Sequence, residues 1–357
     1  MKIALAAGTR PEFIQLEPVI RELKKRDLES IFIHSGQHYD YEMDRIFFDE
    51  MHLPDPTHYL GIGSRLPGEQ VGEMIIRSEP VFSSERPDLL LVTGDTNTAL
   101  GVSLAAKKAK IEIGHMEAGM RSFDRSMPEE INRIIIDNIS DYLFPPTVKG
   151  VENLRANGIV RNVCLSGDVM LDSILYYRGL IEKGSRTVDE LSLDDGTYLL
   201  LTLHREANTD DRERLKNILS AISQAPFPVV FPIHPRTRQR IENFGFTLSE
   251  NIHPIVPVGY FEFLRLLHRS RKILTDSGGV QKQAFFLSKP CITLRANTEW
   301  VETIENGWNI LVDDDQEKIL GAITDFNPRG SPDLSLFGHG QSSGKIIDAI
   351  GKYTGRS

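Results

Sequence analysis

Short, continuous apolar runs alternating with longer stretches of helical periodicity recur along nearly the whole chain, and nothing else in the sequence restricts the fold so strongly. Apolar runs at Ile3–Ala7, Ser30–His34, Leu89–Thr93, Ile111–His115 and Asn162–Leu165 are separated by helices predicted to start near Pro11, Tyr41, Glu69, Asn97, Pro128 and Val148. Strands that are apolar on both faces belong to a parallel sheet covered by helices on each side. The alternation lapses over residues 171–195, a polar stretch with turn residues Gly184 and Asp194 to Gly196 that reads as a linker. It then restarts: TYLLLTLH, PVVFPIH, HPIVPV, KILTDSG, PCITLR and NILV read as strands, with helices after Asp210, Thr237, Phe261, Gly279, Trp300 and Asp315. At 357 residues the chain exceeds what one core usually organises. The expected class is therefore α/β, with two Rossmann-like, doubly wound parallel-sheet domains, residues 1–170 and 196–343, facing a cleft. An amphipathic helix over 344–357 is expected to pack back on the first domain. Ligands of open α/β sheets bind at the carboxyl ends of the strands, so those ends hold the candidate residues.

Charge limits the partners. A formal net charge of -9 opposes loose binding to nucleic acid or to an anionic membrane, while a small anionic ligand in a local basic pocket stays allowed. No apolar run approaches the length of a membrane span. The two cysteines, Cys164 and Cys291, each lie in an apolar run that reads as a buried strand, which suits a reducing cytoplasm better than a disulfide framework. No His/Cys spacing supports a metal.

Two glycine turns between strand and helix are candidate anion sites. Gly8-Thr9-Arg10-Pro11-Glu12 offers the amide groups of a helix start beside Arg10, and Thr275-Asp276-Ser277-Gly278-Gly279 repeats that arrangement in the second half. Gln283, one turn further on, is placed to reach a ribose diol. No GxGxxG is present, which weakens the case for a dinucleotide. His204-Arg205-Glu206 and His234-Pro235-Arg236 end successive strands of the second domain. A lone histidine is more often structural than catalytic, but two at strand ends, each with an arginine behind it, fit a phosphate site. In the first domain Asp95, Glu117, Glu129 and Glu130 fall in VTGDTN and GHMEAGMRSFDRSMPEEINR. Helix capping accounts for Asp95, Glu129 and Glu130 in bland terms. Glu117, directly after a buried strand, belongs to no cap.

Read together, GTRPEFIQ, HSGQHYD, VTGDTNT, GHMEAGMRSFDRSMPEEINR, TLHREANTDD, HPRT, TDSGGVQKQA and LRANTEWVETIENGWN resemble the non-hydrolysing UDP-N-acetylglucosamine 2-epimerase family of the glycosyltransferase-B (GT-B) superfold. The resemblance runs in unbroken order from Gly8 to about Val312. It implies a homodimer with UDP-sugar in the cleft and inversion at C2 of the sugar without a cofactor. In that chemistry departure of UDP acidifies C2–H, a carboxylate removes the proton, and a 2-acetamidoglucal is reprotonated from the other face, which calls for acid/base groups on two sides. By resemblance Asp95, Glu117 and Glu129 take those roles, and His204 lies near the pyrophosphate. Arg10, Gln15, His234, Arg236, Ser277, Gly278, Gly279, Gln283 and Arg295 would bind the UDP-sugar. Gln37, His38 and Gln70 map near a second UDP-sugar site found in some bacterial members. Two positions depart from the family: Gln15 stands where lysine is usual and Gln283 where glutamate is usual. The same chemistry on UDP-2,3-diacetamido-glucuronate is the nearest alternative. A GT-B glycosyltransferase or a non-catalytic UDP-sugar binder follows from a different class.

Overall fold

A computed structural model describes residues 1–36 and 47–355. The chain divides into two units, Met1–Tyr176 with Ser335–Ser357, and Tyr177–Leu334. The first holds strands β1 (Lys2–Ala7), β2 (Glu29–His34), β3 (His58–Tyr59), β4 (Leu89–Thr93), β5 (Glu112–Met116) and β6 (Tyr142–Phe144), all in parallel pairing. Its helices in this stretch are α1 (Arg10–Lys25), α2 (Pro67–Glu85), α3 (Asn97–Lys108), α4 (Pro128–Ile139), α5 (Val148–Ala156) and α6 (Val169–Tyr176). The second unit has α7 (Arg178–Ile181), α8 (Arg186–Glu190), β7 (Leu199–Thr202), α9 (Glu206–Thr209), α10 (Arg212–Ser223), β8 (Val229–Pro232), α11 (Pro235–Asn243) and β9 (Ile252–Ile255). It continues with α12 (Tyr260–Arg269), β10 (Lys272–Thr275), α13 (Gly278–Phe286), β11 (Cys291–Thr293), α14 (Val301–Glu305), β12 (Asn309–Leu311) and α15 (Gln316–Asp325). Helix α16 (Ser342–Thr354) belongs to the first unit.

Both sheets have one topology. The orders β3-β2-β1-β4-β5-β6 and β12-β11-β10-β7-β8-β9 are the same doubly wound arrangement, each reversing direction once, between β1 and β4 and between β7 and β10. The alternating apolar pattern explains it, because strands such as β1, β4 and β7 bury essentially every side chain and need helices on both faces. Each fully buried Leu or Ile contributes on the order of 1.5–3 kcal/mol.

Two details differ from the sequence expectation. Asn162–Leu165 is not a strand: only Val163 bridges to Leu143, Asn162 has φ 51, and Leu165 is exposed. A left-handed residue cannot continue an extended ladder, so Cys164 lies outside the sheet and is only half-buried. The sixth strand is instead the three-residue Tyr142–Phe144, and the two-residue β3 also has too little pattern to be read. The polar stretch 171–195 carries most of α6 together with α7 and α8, and the two units divide at Tyr176–Tyr177.

Helix α16 docks by name-able contacts. The backbone N–H groups of Ser342 and Ser343 and the Ser343 hydroxyl donate to the buried Asp172 carboxylate of α6. Arg26 pairs with Asp348 at 2.5 Å, and the Tyr353 ring stacks on Tyr142.

Candidate active site

In the first unit the turns after β4 and β5 meet residues of α4. Thr96 caps α3 by accepting from Ala99 N at 3.0 Å, so the cap expected of Asp95 belongs to its neighbour. The Asp95 carboxylate pairs with Arg133, and the Asp95 carbonyl accepts from Asn132 Nδ2 at 2.8 Å. Glu117 leaves β5 with φ 63, a left-handed backbone that a side-chain-bearing residue adopts at a cost of about 1–3 kcal/mol. Its Oε2 accepts from Gln15 Nε2 at 2.5 Å, and Gln15 Oε1 accepts from the Thr93 hydroxyl. Gln15, expected at the phosphates, is buried against a carboxylate. Glu129 is half-exposed in the first turn of α4, where the helix dipole favours an acid. Glu130 beside it is buried and structural, accepting from Ser122 N, Ser122 Oγ, Phe123 N and Arg133 Nη1.

Behind these turns lies a buried charge cluster that the sequence did not single out. Asp137 of α4 accepts from His115 Nδ1 at 2.7 Å and from Gly119 N, and it pairs with Arg121 at 2.6 Å. His115 Nε2 reaches the Gly94 carbonyl at 2.9 Å. One carboxylate therefore anchors the Glu117–Gly119 turn directly and the Gly94–Asp95 turn through the imidazole. Burial alone would push the Asp137 carboxyl up, but the His115 bond and the charges of His115 and Arg121 hold it below the usual carboxylate value.

The first glycine turn corrects an expectation. Gly8 N and Thr9 N, which looked available to an anion, donate to Glu12 Oε2 at 2.8 and 2.9 Å, while Thr96 Oγ1 donates to Glu12 Oε1 at 2.5 Å. Glu12 occupies the anion position itself in a capping box. Gly8 is required by packing, since a Cβ there would lie 1.8 Å from Ser35 Oγ. Arg10 sits with its guanidinium 5.4 Å from the centre of the Phe47 ring. Burial pushes the Glu12 carboxyl up to about 7 from 4.5, against the bonds from Thr96, Gly8 and Thr9. Between those values the folded protein holds a proton that the unfolded chain has lost, so this group's contribution to stability falls as the pH rises from 4.5 through 7. The unfolding free energy from urea titrations should decline across that window by up to about 3 kcal/mol, and Glu12→Gln should flatten the decline. An unchanged slope in the variant would count against a buried, titrating Glu12.

In the second unit the turns after β7 and β10 are gathered by Asp276, a fully buried carboxylate that the sequence offered only as a turn residue. It accepts from His204 N at 3.0 Å, Arg205 N at 2.9 Å and Asn208 Nδ2 at 3.3 Å, and lies 3.7 Å from His204 Nδ1. The His204 ring is about half exposed. Ser277, the N-cap residue of α13, makes no side-chain cap, leaving first-turn amides of the kind that bind phosphate. Gly278 is there for close packing, because a Cβ would lie 2.6 Å from Glu299 Oε1. Gln283 is buried in α13, and Lys282 sits 4.1 Å over the Trp300 ring. Arg295 donates through Nη2 to Glu299 and Asn297, while its buried Nη1 has no hydrogen bond among the described residues. His234 and Arg236 are placed differently from expectation. His234 Nδ1 caps α11 by accepting from Arg236 N, and the Arg236 guanidinium is tied to Glu206 and Asp210 at the surface.

Gln70 is buried, donating to the Gly63 carbonyl and accepting from Asn97 Nδ2, whose own oxygen faces Asn132 Nδ2. Gln37 and His38 lie outside the described residues. Among the described residues no group of three His, Cys, Asp or Glu could hold a metal ion, and no helix is long and apolar enough to cross a membrane.

Comparison with known proteins converges on one family. A UDP-N-acetylglucosamine 2-epimerase family model matches residues 21–351. A UDP-N-acetylglucosamine 2-epimerase homolog of Methanococcus maripaludis is 49% identical over 98% of this chain and 99% of its own. A UDP-2,3-diacetamido-2,3-dideoxy-D-glucuronate 2-epimerase of Pseudomonas aeruginosa is 42% identical over 99% and 100%. The crystal structure of Methanocaldococcus jannaschii UDP-GlcNAc 2-epimerase in complex with UDP-GlcNAc and UDP superposes with a TM-score of 0.92 at 45% identity, covering 99% of this chain and 100% of that one. With relatives and a solved structure matching nearly the whole of the chain, it belongs to the UDP-N-acetylglucosamine 2-epimerase family.

Proposed function

We propose that this chain is a non-hydrolysing UDP-GlcNAc 2-epimerase, an isomerase interconverting UDP-GlcNAc and UDP-ManNAc. The observation that carries the proposal is the near-full-length similarity to the Methanocaldococcus jannaschii protein solved with UDP-GlcNAc and UDP. The local chemistry supports it, because Asp95 and Glu117 are held at strand-end turns of the first unit by Arg133 of α4 and Gln15 of α1, and Glu129 lies in the first turn of α4. In the forward direction the C1–O bond to UDP breaks with its electron pair leaving on the diphosphate. A carboxylate takes the C2 proton, and the C–H pair becomes the C1–C2 double bond of a 2-acetamidoglucal. Return of a proton to the opposite face of C2 and attack of UDP oxygen on C1 complete the inversion. In the second unit His204 and the amides opening α13 serve the departing diphosphate, with Gln283 and Arg295 as further binding groups. Homodimerisation, a cytoplasmic site of action and supply of a manno-configured sugar for surface polysaccharide go with this proposal. A light-scattering mass of one chain would count against the dimer.

A second reading has its own support in the Pseudomonas aeruginosa relative named for UDP-2,3-diacetamido-2,3-dideoxy-D-glucuronate. Proton NMR in heavy water tests both. With UDP-GlcNAc, the C2 proton signal should disappear and a manno product should grow to equilibrium. Exchange confined to the diacetamido-uronate would transfer the assignment to that sugar. Binding without exchange would leave a UDP-sugar binder, and UDP release only with an acceptor would indicate a transferase.

A further inference from the structure

Glu117 is a flexible carboxylate on a strained backbone at a strand end, and something must decide where its oxygens point. A residue bonded to it is Gln15, buried in α1 and 102 positions away in sequence. An amide has two ends of nearly equal shape and opposite polarity, so it can steer a carboxylate only if its orientation is fixed. The hydrogen-bond partners fix it here. An ionised carboxylate only accepts, so the Gln15 group facing Glu117 is Nε2–H, and Oε1 must face Thr93. Thr93 is fully buried at the end of β4, and its hydroxyl donates to that oxygen. Rotating the amide by half a turn would set Oε1 against the carboxylate and Nε2–H against the hydroxyl, which reorients only by giving up its own donation.

From this chain of bonds we infer that Gln15 is a positioning residue, and that Thr93 and Gln15 together aim the Glu117 carboxylate rather than contact the sugar nucleotide. The inference rests on the 2-epimerase reading for its kinetic consequence and on the bonds alone for its structural one. Misplacing a catalytic group by about 1 Å costs on the order of 100-fold in rate. The relay is neutral throughout, so it directs Glu117 without adding a charge beside it.

The test compares Gln15→Met, Thr93→Val and Thr93→Ser with the wild type. Gln15→Met fills the same space without either bond and should lower kcat for UDP-GlcNAc on the order of 100-fold with KM nearly unchanged. Thr93→Val keeps the shape of threonine but leaves the buried Gln15 Oε1 without its donor, so it should melt lower and also lose kcat. Thr93→Ser keeps the hydroxyl and removes a buried methyl, so it should melt lower yet retain kcat. A purely structural role predicts that kcat follows the melting temperature in both Thr93 variants. A rise in KM at constant kcat for Gln15→Met would return Gln15 to substrate binding and overturn the inference. A readout without turnover separates this from failure of the epimerase reading. The Gln15 side-chain amide NMR signals, identified by their loss in Gln15→Met, should move in both Thr93→Val and Glu117→Ala. An inactive wild type with those movements intact would sink the epimerase reading and uphold the relay; signals that stay in place would sink the relay.

Discussion

Replacing Glu117 with glutamine should reduce kcat for C2 exchange by about 100- to 10,000-fold, the range that a positioned acid or base supplies, while UDP binding stays near wild type. The substitution keeps length and shape. An amide oxygen at position 117 can still accept from Gln15 Nε2, so the relay and the left-handed turn survive, and only basicity is removed. Steady-state kinetics with calorimetric titration of UDP checks this. The informative comparison is Glu129→Gln, whose side chain is half-exposed on α4. If both variants lose kcat and neither loses UDP, two acids serve the proton at C2. If Glu117→Gln mainly lowers the melting temperature at normal kcat, the left-handed turn is there for structure and the catalytic assignment fails.

Asp137→Ala should be the most destabilising single change in the first unit, by about 3–5 kcal/mol. Asp137, His115 and Arg121 are all buried, and removal of the carboxylate leaves the guanidinium and the imidazole facing each other with no counter-charge. At about 2–4 °C per kcal/mol the melting temperature should drop by roughly 10 °C. The pH dependence has a defined sign. Since the folded protein holds this carboxyl below its unfolded value, its contribution is complete at neutral pH and is lost as the pH falls below the ordinary carboxylate range. Asp137→Asn should therefore melt lower than wild type at neutral pH and converge with it in acid. A variant that matches wild type at every pH would show that the cluster adds nothing to the fold.

How much the sequence disclosed depended on how local the information was. Strands such as Leu89–Thr93 and Leu199–Thr202 declare themselves because every residue is buried, and the pattern needs no partner to be seen. Tyr142–Phe144 was invisible because three residues carry no periodicity, whereas Asn162–Leu165 looked like a strand until Asn162 adopted a positive φ. The candidate acids could be named from their place at strand ends, but their partners could not. Asp276 holds backbone donors about 70 positions earlier, and Gln15, expected among the UDP-sugar binders, bonds Glu117 102 positions later. Glu12 is the exception that was open to reading. Thr9-x-x-Glu12 is a capping-box spacing, and recognising it would have withdrawn the first glycine turn's amides from the phosphate assignment.

Because α16 completes the first unit after the chain has passed through the whole of the second, the order of synthesis and the order of completion differ. On the ribosome Asp172 emerges long before Ser342 and Ser343, the residues whose amides donate to it, and until then its carboxylate lacks those donors. The second unit is contiguous and needs no later segment, whereas the first is sealed only once α16 follows it, so a chain interrupted between Leu334 and α16 leaves the second unit whole and the first without its closing helix.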